Sequence, residues 1–288
     1  LERPENLCGM HFFNPVHRMP LVEVVRGAAT SEEALATIFE LTVRLGKTPV
    51  LVDDGPGFLV NRLLAPYLNE AGWLLADGAS IEAVDDAVRE FGMPMGPLRL
   101  LDEVGLDVAR HAAAVLYDAF GDRLRPSPPL EALERTDRLG RKGGRGFYRY
   151  EDGREQEIDE TVYDELGESV PKQRRELPVS EIVDRTTLVM VNEAARALDD
   201  GVVARAADVD VAMITGTGFP PFRGGLLRWA DARGLGQIVD TLERLARDID
   251  RRFEPAPLLH SLAERSARFY DDAAADDGGG GVRAAAAD

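Results

Sequence analysis

The chain has 288 residues, 44% of them hydrophobic and 30% charged, a balance that excludes wholesale disorder and leaves room for two domains of ordinary size. Acidic residues outnumber basic ones by 51 to 34, for a net charge of −17, so a phosphate backbone would be repelled and nucleic acid is not an expected partner. No apolar run approaches the roughly 20 residues of a membrane span, the single cysteine, Cys8, has no internal disulfide partner, and His11, His17, His111 and His260 offer no zinc-ligand spacing.

From Leu1 onward the opening residues lack the charged, apolar and small-residue order of a signal peptide. The chain reads as an excised piece of a longer one, from a reducing, cytoplasmic setting and without a metal. Residues 9 to 13 (GMHFF) and 21 to 25 (LVEVV) read as short strands separated by a turn between Pro15 and Pro20, and TPVLVDD gives a third strand ending near Asp54. Between the second and third, residues 31 to 45 read as a helix: Ser31 is its N-cap, Leu35, Ile38, Phe39, Thr42 and Leu45 share one face, and Gly46 ends it. Strand, strand, helix, strand is the order expected at the tail of an α/β domain.

After DDGPG the pattern turns helical. FLVNRLLAPYLNEAGWLLADG is apolar nearly all round, as a central buried helix is, with Pro66 expected to kink it. Helices are expected next at 80 to 91 and 98 to 119. NEAGWLLADG at 69 to 78 and NEAARALDDG at 192 to 201 agree at six of ten positions. Each is trailed by a glycine, a large apolar residue and a proline, Gly92-Met93-Pro94 and Gly218-Phe219-Pro220. Asp102 with Gly105-Leu106 is likewise answered by Asp231 with Gly234-Leu235. Recurrence in one order predicts a duplicated helical unit. The stretch from about 150 to 178, rich in Glu, Arg and Pro, reads as a linker, and the low-complexity end as disordered.

Glu23 interrupts an otherwise apolar strand, with Leu21 and Val25 on its own face by alternation. Two strands joined across 14 to 20 bring His11 near it, and a carboxylate bonded to an imidazole fixes the tautomer and stabilises the charged ring, which is the make-up of a general base. A surface pairing of Glu23 with Arg18 or Arg26, beside a packed core histidine, is the alternative that strand pattern leaves open. Asn61 stands one turn into an apolar helix, a poor place for an amide unless something bonds it. Asn14, before Pro15, suits a turn. Arg138, Arg141, Lys142, Arg145 and Arg149 form either a phosphate site or a solvated basic turn. Lys142, one of only three lysines with Lys47 and Lys172, is followed by two glycines that permit close approach. GTGFPPFRGG fails as a dinucleotide loop, since Phe219, Pro220 and Pro221 follow its second glycine.

CGMHFFNPVHRMPLVEVVRG, GKTPVLVDDGPGFLVNRLLAPYLNEA, GMPMGPLRLLDEVGLD, GRKGGRGFYRY and GTGFPPFRGG, in that order, closely resemble the 3-hydroxyacyl-CoA dehydrogenases, in the multifunctional form of the fatty-acid oxidation complex alpha subunit. The resemblance runs to about residue 270. It implies a remnant of a Rossmann-type NAD-binding domain over 1–55, then helical domains of the 6-phosphogluconate dehydrogenase C-terminal type over 56–150 and 180–270, with a linker at 151–179 and a disordered tail at 271–288. It also implies NAD-dependent oxidation of a 3-hydroxyacyl-CoA in fatty-acid β-oxidation, with His11 catalytic, Glu23 orienting it, Asn61 near the substrate carbonyl, and Asn14 and Lys142 on NAD. An acyl-CoA substrate follows from it, and a thiolase subunit, an upstream enoyl-CoA hydratase and a homo-oligomer are compatible partners. A strand followed by GxGxxG, with an acidic residue about 20 positions on, is not in the sequence. Thr215 stands where many relatives carry tyrosine. The isolated chain is therefore expected to be inactive and not to bind NAD measurably, and a helical assembly module without chemistry is the competing expectation.

Overall fold

The computed structural model describes residues 1–271. It opens with a three-stranded sheet in the order β1 (Gly9–Phe12), β2 (Leu21–Arg26), β3 (Thr48–Asp53), with β1 antiparallel and β3 parallel to β2. A parallel pair needs a crossover, which α1 (Glu32–Arg44) supplies. Ser31 caps α1 as expected, its Oγ accepting from the Ala34 amide. Alternation divides β2 between two cores. Val22 and Val24 pack with Leu35 of α1, while Leu21 and Val25 join the main core beneath the helices. Glu23 belongs by that alternation to the helical side, and it is fully buried.

The helical part begins with α2 (Val60–Ala76), which contains Pro66, and continues through α3 (Ile81–Phe91), α4 (Pro97–Val104), α5 (Leu106–Phe120) and α6 (Pro128–Leu133). One helix was expected over 98 to 119. Two form, because Gly105 breaks the run at φ +97°, a conformation that favours glycine. The hairpin β4 (Tyr148–Glu151) and β5 (Arg154–Ile158) and the short α7 (Val162–Leu166) follow. Residues 151–179 are thus more than a linker: Asp159, Val162, Leu166, Val170 and Leu177 are buried, and scattered apolar anchors without helical period hide among the charges. The chain closes with α8 (Val179–Asp199), α9 (Ala206–Thr217), α10 (Leu226–Arg233), α11 (Leu235–Asp248) and α12 (Pro257–Glu264). The expected disordered tail lies, from residue 272, outside the described residues.

The helices α2 and α8 pack together at the centre. Arg62 Nε donates to Glu193 Oε1 at 2.7 Å and its Nη2 to Asp200 Oδ2 at 2.6 Å; Arg185 Nε donates to Glu70 Oε1 at 2.7 Å and its Nη1 pairs with Asp77 at 2.7 Å. Asn69 bonds the Arg125 carbonyl and the Ser127 amide, and Asn192 bonds the Glu254 carbonyl and the Ala256 amide. Asp85 accepts from the Leu98 and Arg99 amides and the Tyr148 hydroxyl, and Asp210 from the Leu227 and Arg228 amides and the Tyr270 hydroxyl. Gly216, in the glycine-rich stretch, lies against Leu21 and Val60 and lets α9 close on both the sheet and α2.

Candidate active site

The strand register sets His11 directly opposite Glu23. His11 Nδ1 lies 2.6 Å from Glu23 Oε2. An ionised carboxylate only accepts, so Nδ1 donates and, in the neutral ring, Nε2 carries the lone pair. The other carboxylate oxygen, Oε1, accepts from the backbone amides of Leu59 at 3.0 Å and Val60 at 2.9 Å, at the N-terminus of α2. A helix N-terminus presents free amides and partial positive charge, and both stabilise an anion there. The surface pairing of Glu23 with Arg18 or Arg26 does not form: Glu23 has no exposure, and Arg26 pairs with Glu32 and Asp53.

The turn that delivers those amides is tight. Gly57 has φ +75° and Phe58 φ +45°, a rare backbone for a bulky residue. It brings the Phe58 ring to 5.4 Å from the imidazole, with Phe13 at 4.7 Å on another side. Aromatic walls therefore flank a histidine whose side chain remains 30% exposed. The contacts of Phe58 with His11 and of the Leu59 and Val60 amides with Glu23 were missed by residue-type reasoning; the DDGPGF turn at the head of an apolar helix was the available signal.

The remaining expected residues divide. Asn61, exposed on the first turn of α2, makes no side-chain hydrogen bond among the described residues, and it stands at the end of a cavity of about 320 Å³. Asn14 is exposed two residues beyond the end of β1, next to Phe13 and three residues from His11. Free polar groups on Asn14 and on the Nε2 edge of His11 suit a ligand with a polar rim, as a nicotinamide is. Lys142 is not brought to this group. It pairs with Asp107, at 2.6 Å, at the start of α5, whereas Leu116, nine residues and about 13 Å further along that helix, packs against Gly57. The other members of the basic cluster are also matched by carboxylates, Arg138 and Arg149 to Asp159, Arg141 to Glu103 and Arg145 to Asp137, so they form no free phosphate site. His17 and His111 are exposed and His260 faces Glu243 and Glu264. Among the described residues no His, Cys, Asp and Glu cluster could hold a metal, and no helix is long and apolar enough to cross a membrane.

Sequence models of two domains match the chain: the 3-hydroxyacyl-CoA dehydrogenase NAD binding domain over residues 1–55, and the 3-hydroxyacyl-CoA dehydrogenase C-terminal domain over 57–150 and again over 182–268. The fatty acid oxidation complex subunit alpha of Acinetobacter baumannii (strain SDF) is 45% identical over 276 residues, covering 94% of this chain and 38% of that protein. The subunit of the same description from Shewanella sp. (strain ANA-3) is 45% identical over 273 residues, covering 93% and 38%. The chain thus spans well under half the length of these curated relatives. Among solved structures, 3-hydroxybutyryl-CoA dehydrogenase from Escherichia coli superposes with a TM-score of 0.78 at 30% identity, over 91% of this chain and 71% of that one. The dehydrogenase part of multifunctional enzyme 1 from C. elegans gives 0.67 at 30% identity, over 91% and 60%.

Proposed function

The chain belongs to the 3-hydroxyacyl-CoA dehydrogenase family, and from that premise we propose that it serves the NAD-dependent oxidation of the 3-hydroxyl of a hydroxyacyl-CoA to a ketone in fatty-acid oxidation. The observation that carries the reading is the fully buried Glu23 held between His11 and the N-terminus of α2. His11 Nε2 takes the hydroxyl proton. Glu23 holds the opposite nitrogen and stabilises the imidazolium as it forms, an interaction stronger in the transition state than before it. Asn61, with its amide uncommitted, donates to the thioester carbonyl and aligns the substrate. Asn14 would help to hold the nicotinamide of NAD, which when bound would supply the hydride acceptor. Lys142 is kept in the proposal as a contact for NAD, made from the exposed position where its ammonium pairs with Asp107. In the full-length protein, His11→Ala should lower turnover by about 10² to 10⁴, followed by NADH absorbance with a 3-hydroxyacyl-CoA substrate. Turnover within twofold of the parent would show that His11 is not the base.

Residues 56–150 and 180–270 are, in the same proposal, two copies of one helical unit facing each other about a pseudo-twofold axis. Support comes from the reciprocal Arg62–Glu193 and Arg185–Glu70 pairs and from the matching bonds of Asn69 and Asn192 and of Asp85 and Asp210. A purely structural module would use that seam too, but it leaves a buried carboxylate behind a half-exposed histidine without purpose. The relatives' description as the alpha subunit of a complex supports a further subunit as partner, which this proposal takes to be a thiolase.

A further inference from the structure

Resting on the dehydrogenase reading, we infer that the cavity between α2 and α5 takes the acyl tail of the substrate and sets its preference for medium-length chains. Continuity with the site comes first. Asn61, assigned to the thioester, is also a wall of this cavity, and Leu64, Ala65, Leu68 and Asn69 continue the same wall. Those positions follow the i, i+3, i+4, i+7, i+8 spacing of a single helix face. The tail leaves the substrate at C3, two bonds from the carbonyl that Asn61 holds, so it meets the cavity beside that residue.

The opposite wall is α5, which approaches α2 near Gly57 through Leu116. Of its 15 residues only Leu116 is buried, an unusual state for a helix whose composition is largely apolar. Ala109, Ala112 and Ala113 face the cavity, and these small side chains leave open the space that leucines would fill. Leu130 and Leu133 of α6 and Leu101 of α4 add further apolar wall. Four charged residues border the cavity: Asp107 pairs with Lys142, Arg138 with Asp159 and Thr161, Arg110 donates to the Glu134 carbonyl, and Glu134 itself is exposed at the surface. Asn69, at the far end of the α2 wall, is committed to the Arg125 carbonyl and the Ser127 amide. The occupant is accordingly apolar.

Its length follows from the helix. Asn61 to Asn69 is eight residues, or about 12 Å, which accommodates roughly nine extended methylenes at about 1.3 Å each. With the three carbons at the reacting end outside the cavity, acyl chains up to about twelve carbons fit along this wall by the same helix rise. Cavity volume agrees, since about 320 Å³ is within the range of small-molecule pockets.

The test is the ratio of kcat/KM for the ten-carbon and four-carbon 3-hydroxyacyl-CoA substrates in the full-length protein, with Ala113→Leu and the milder Ala109→Val as variants. Calorimetric binding of decanoyl-CoA and butyryl-CoA gives a readout independent of turnover. Each methylene excluded from the cavity weakens binding by roughly threefold to fourfold, so Ala113→Leu should lower both ratios by about tenfold or more. Ratios that change by less than threefold in both variants overturn the assignment, whatever happens to the absolute rates. An unsubstituted protein that oxidises neither substrate would instead overturn the dehydrogenase reading, and the acyl pocket with it.

Discussion

A carboxylate without access to water persists only where donors replace its hydration, and Glu23 has three: the His11 ring and the amides of Leu59 and Val60. The arrangement ties His11 to the helix that carries Asn61, so one residue fixes the distance between them. Glu23→Gln keeps the size but removes the charge, and its NH₂ faces either the α2 amides, donor against donor, or His11 Nδ1, which then accepts and leaves the ring proton on Nε2, the nitrogen that must take the substrate proton. The expected result is a turnover lower by about a hundredfold or more, with the Michaelis constant for acyl-CoA nearly unchanged, because the imidazolium exists only as the reaction proceeds. Equal losses in both constants, together with a lower melting temperature, would return Glu23 to a packing role. The strand pattern showed that a lone acid at Glu23 needs a partner but left His11 and a surface arginine both open, and it was the resemblance of the HFFNP and LVEVV motifs to the family that chose His11. The α2 amides were not legible in the sequence, since they reach Glu23 from 36 and 37 residues away through tertiary packing.

At the scale of elements, the strands and α1 could be read from alternation and capping, and α2 from its length of apolar sequence. The 151–179 segment could not, because its structure depends on Tyr148, Tyr150 and Asp159 finding partners elsewhere. Asp102 accepts from the Phe147 and Tyr148 amides and the Tyr150 hydroxyl, and Asp85 holds Tyr148. These two aspartates pin the hairpin to α3 and α4 while buried. Burial outweighs their hydrogen bonds and raises the Asp85 carboxyl from 3.8 to about 6 and the Asp102 carboxyl from 3.8 to about 7. Folded-state values above the unfolded ones mean that the contribution to stability is complete below about pH 4 and is lost as pH rises through about 7. A carboxyl that stays protonated in the folded protein while it ionises in the unfolded chain loses about 1.4 kcal/mol for each step of one in pH, so the unfolding free energy should fall by a few kcal/mol between pH 5 and 8. Urea midpoints at the two pH values check this, and Asp102→Asn should remove much of the slope. A slope unchanged in that variant would assign it to other groups.

On the scale of the whole molecule, the α2–α8 seam decides whether the two helical groups unfold separately. Glu70 is 1% exposed and holds both Arg185 and Arg252, while Arg62 reaches across to Glu193, which also holds Arg123. Each buried carboxylate thus serves arginines drawn from the opposite half, and neither half can leave without stranding a charge. Removing one partner of a buried pair costs about 3 to 5 kcal/mol, so Glu70→Leu should lower the urea midpoint substantially. Adding Arg185→Met should recover part of the loss, because it removes a buried guanidinium whose Nε has lost its acceptor while Nη1 keeps only Asp77 and Glu181; the Arg252 guanidinium lies over the Trp73 ring and reaches Asp250. The two tryptophans report from the two halves at their contact, Trp73 of α2 beneath Arg252 and Trp229 of α10 against Phe91 of α3. In variants carrying only one of them, both fluorescence signals should give the same midpoint, and Glu70→Leu should move both by the same amount. Midpoints that separate, with only the Trp73 signal responding to Glu70→Leu, would mean that the seam joins two independently stable units, and that its buried charges position the halves without coupling their folding.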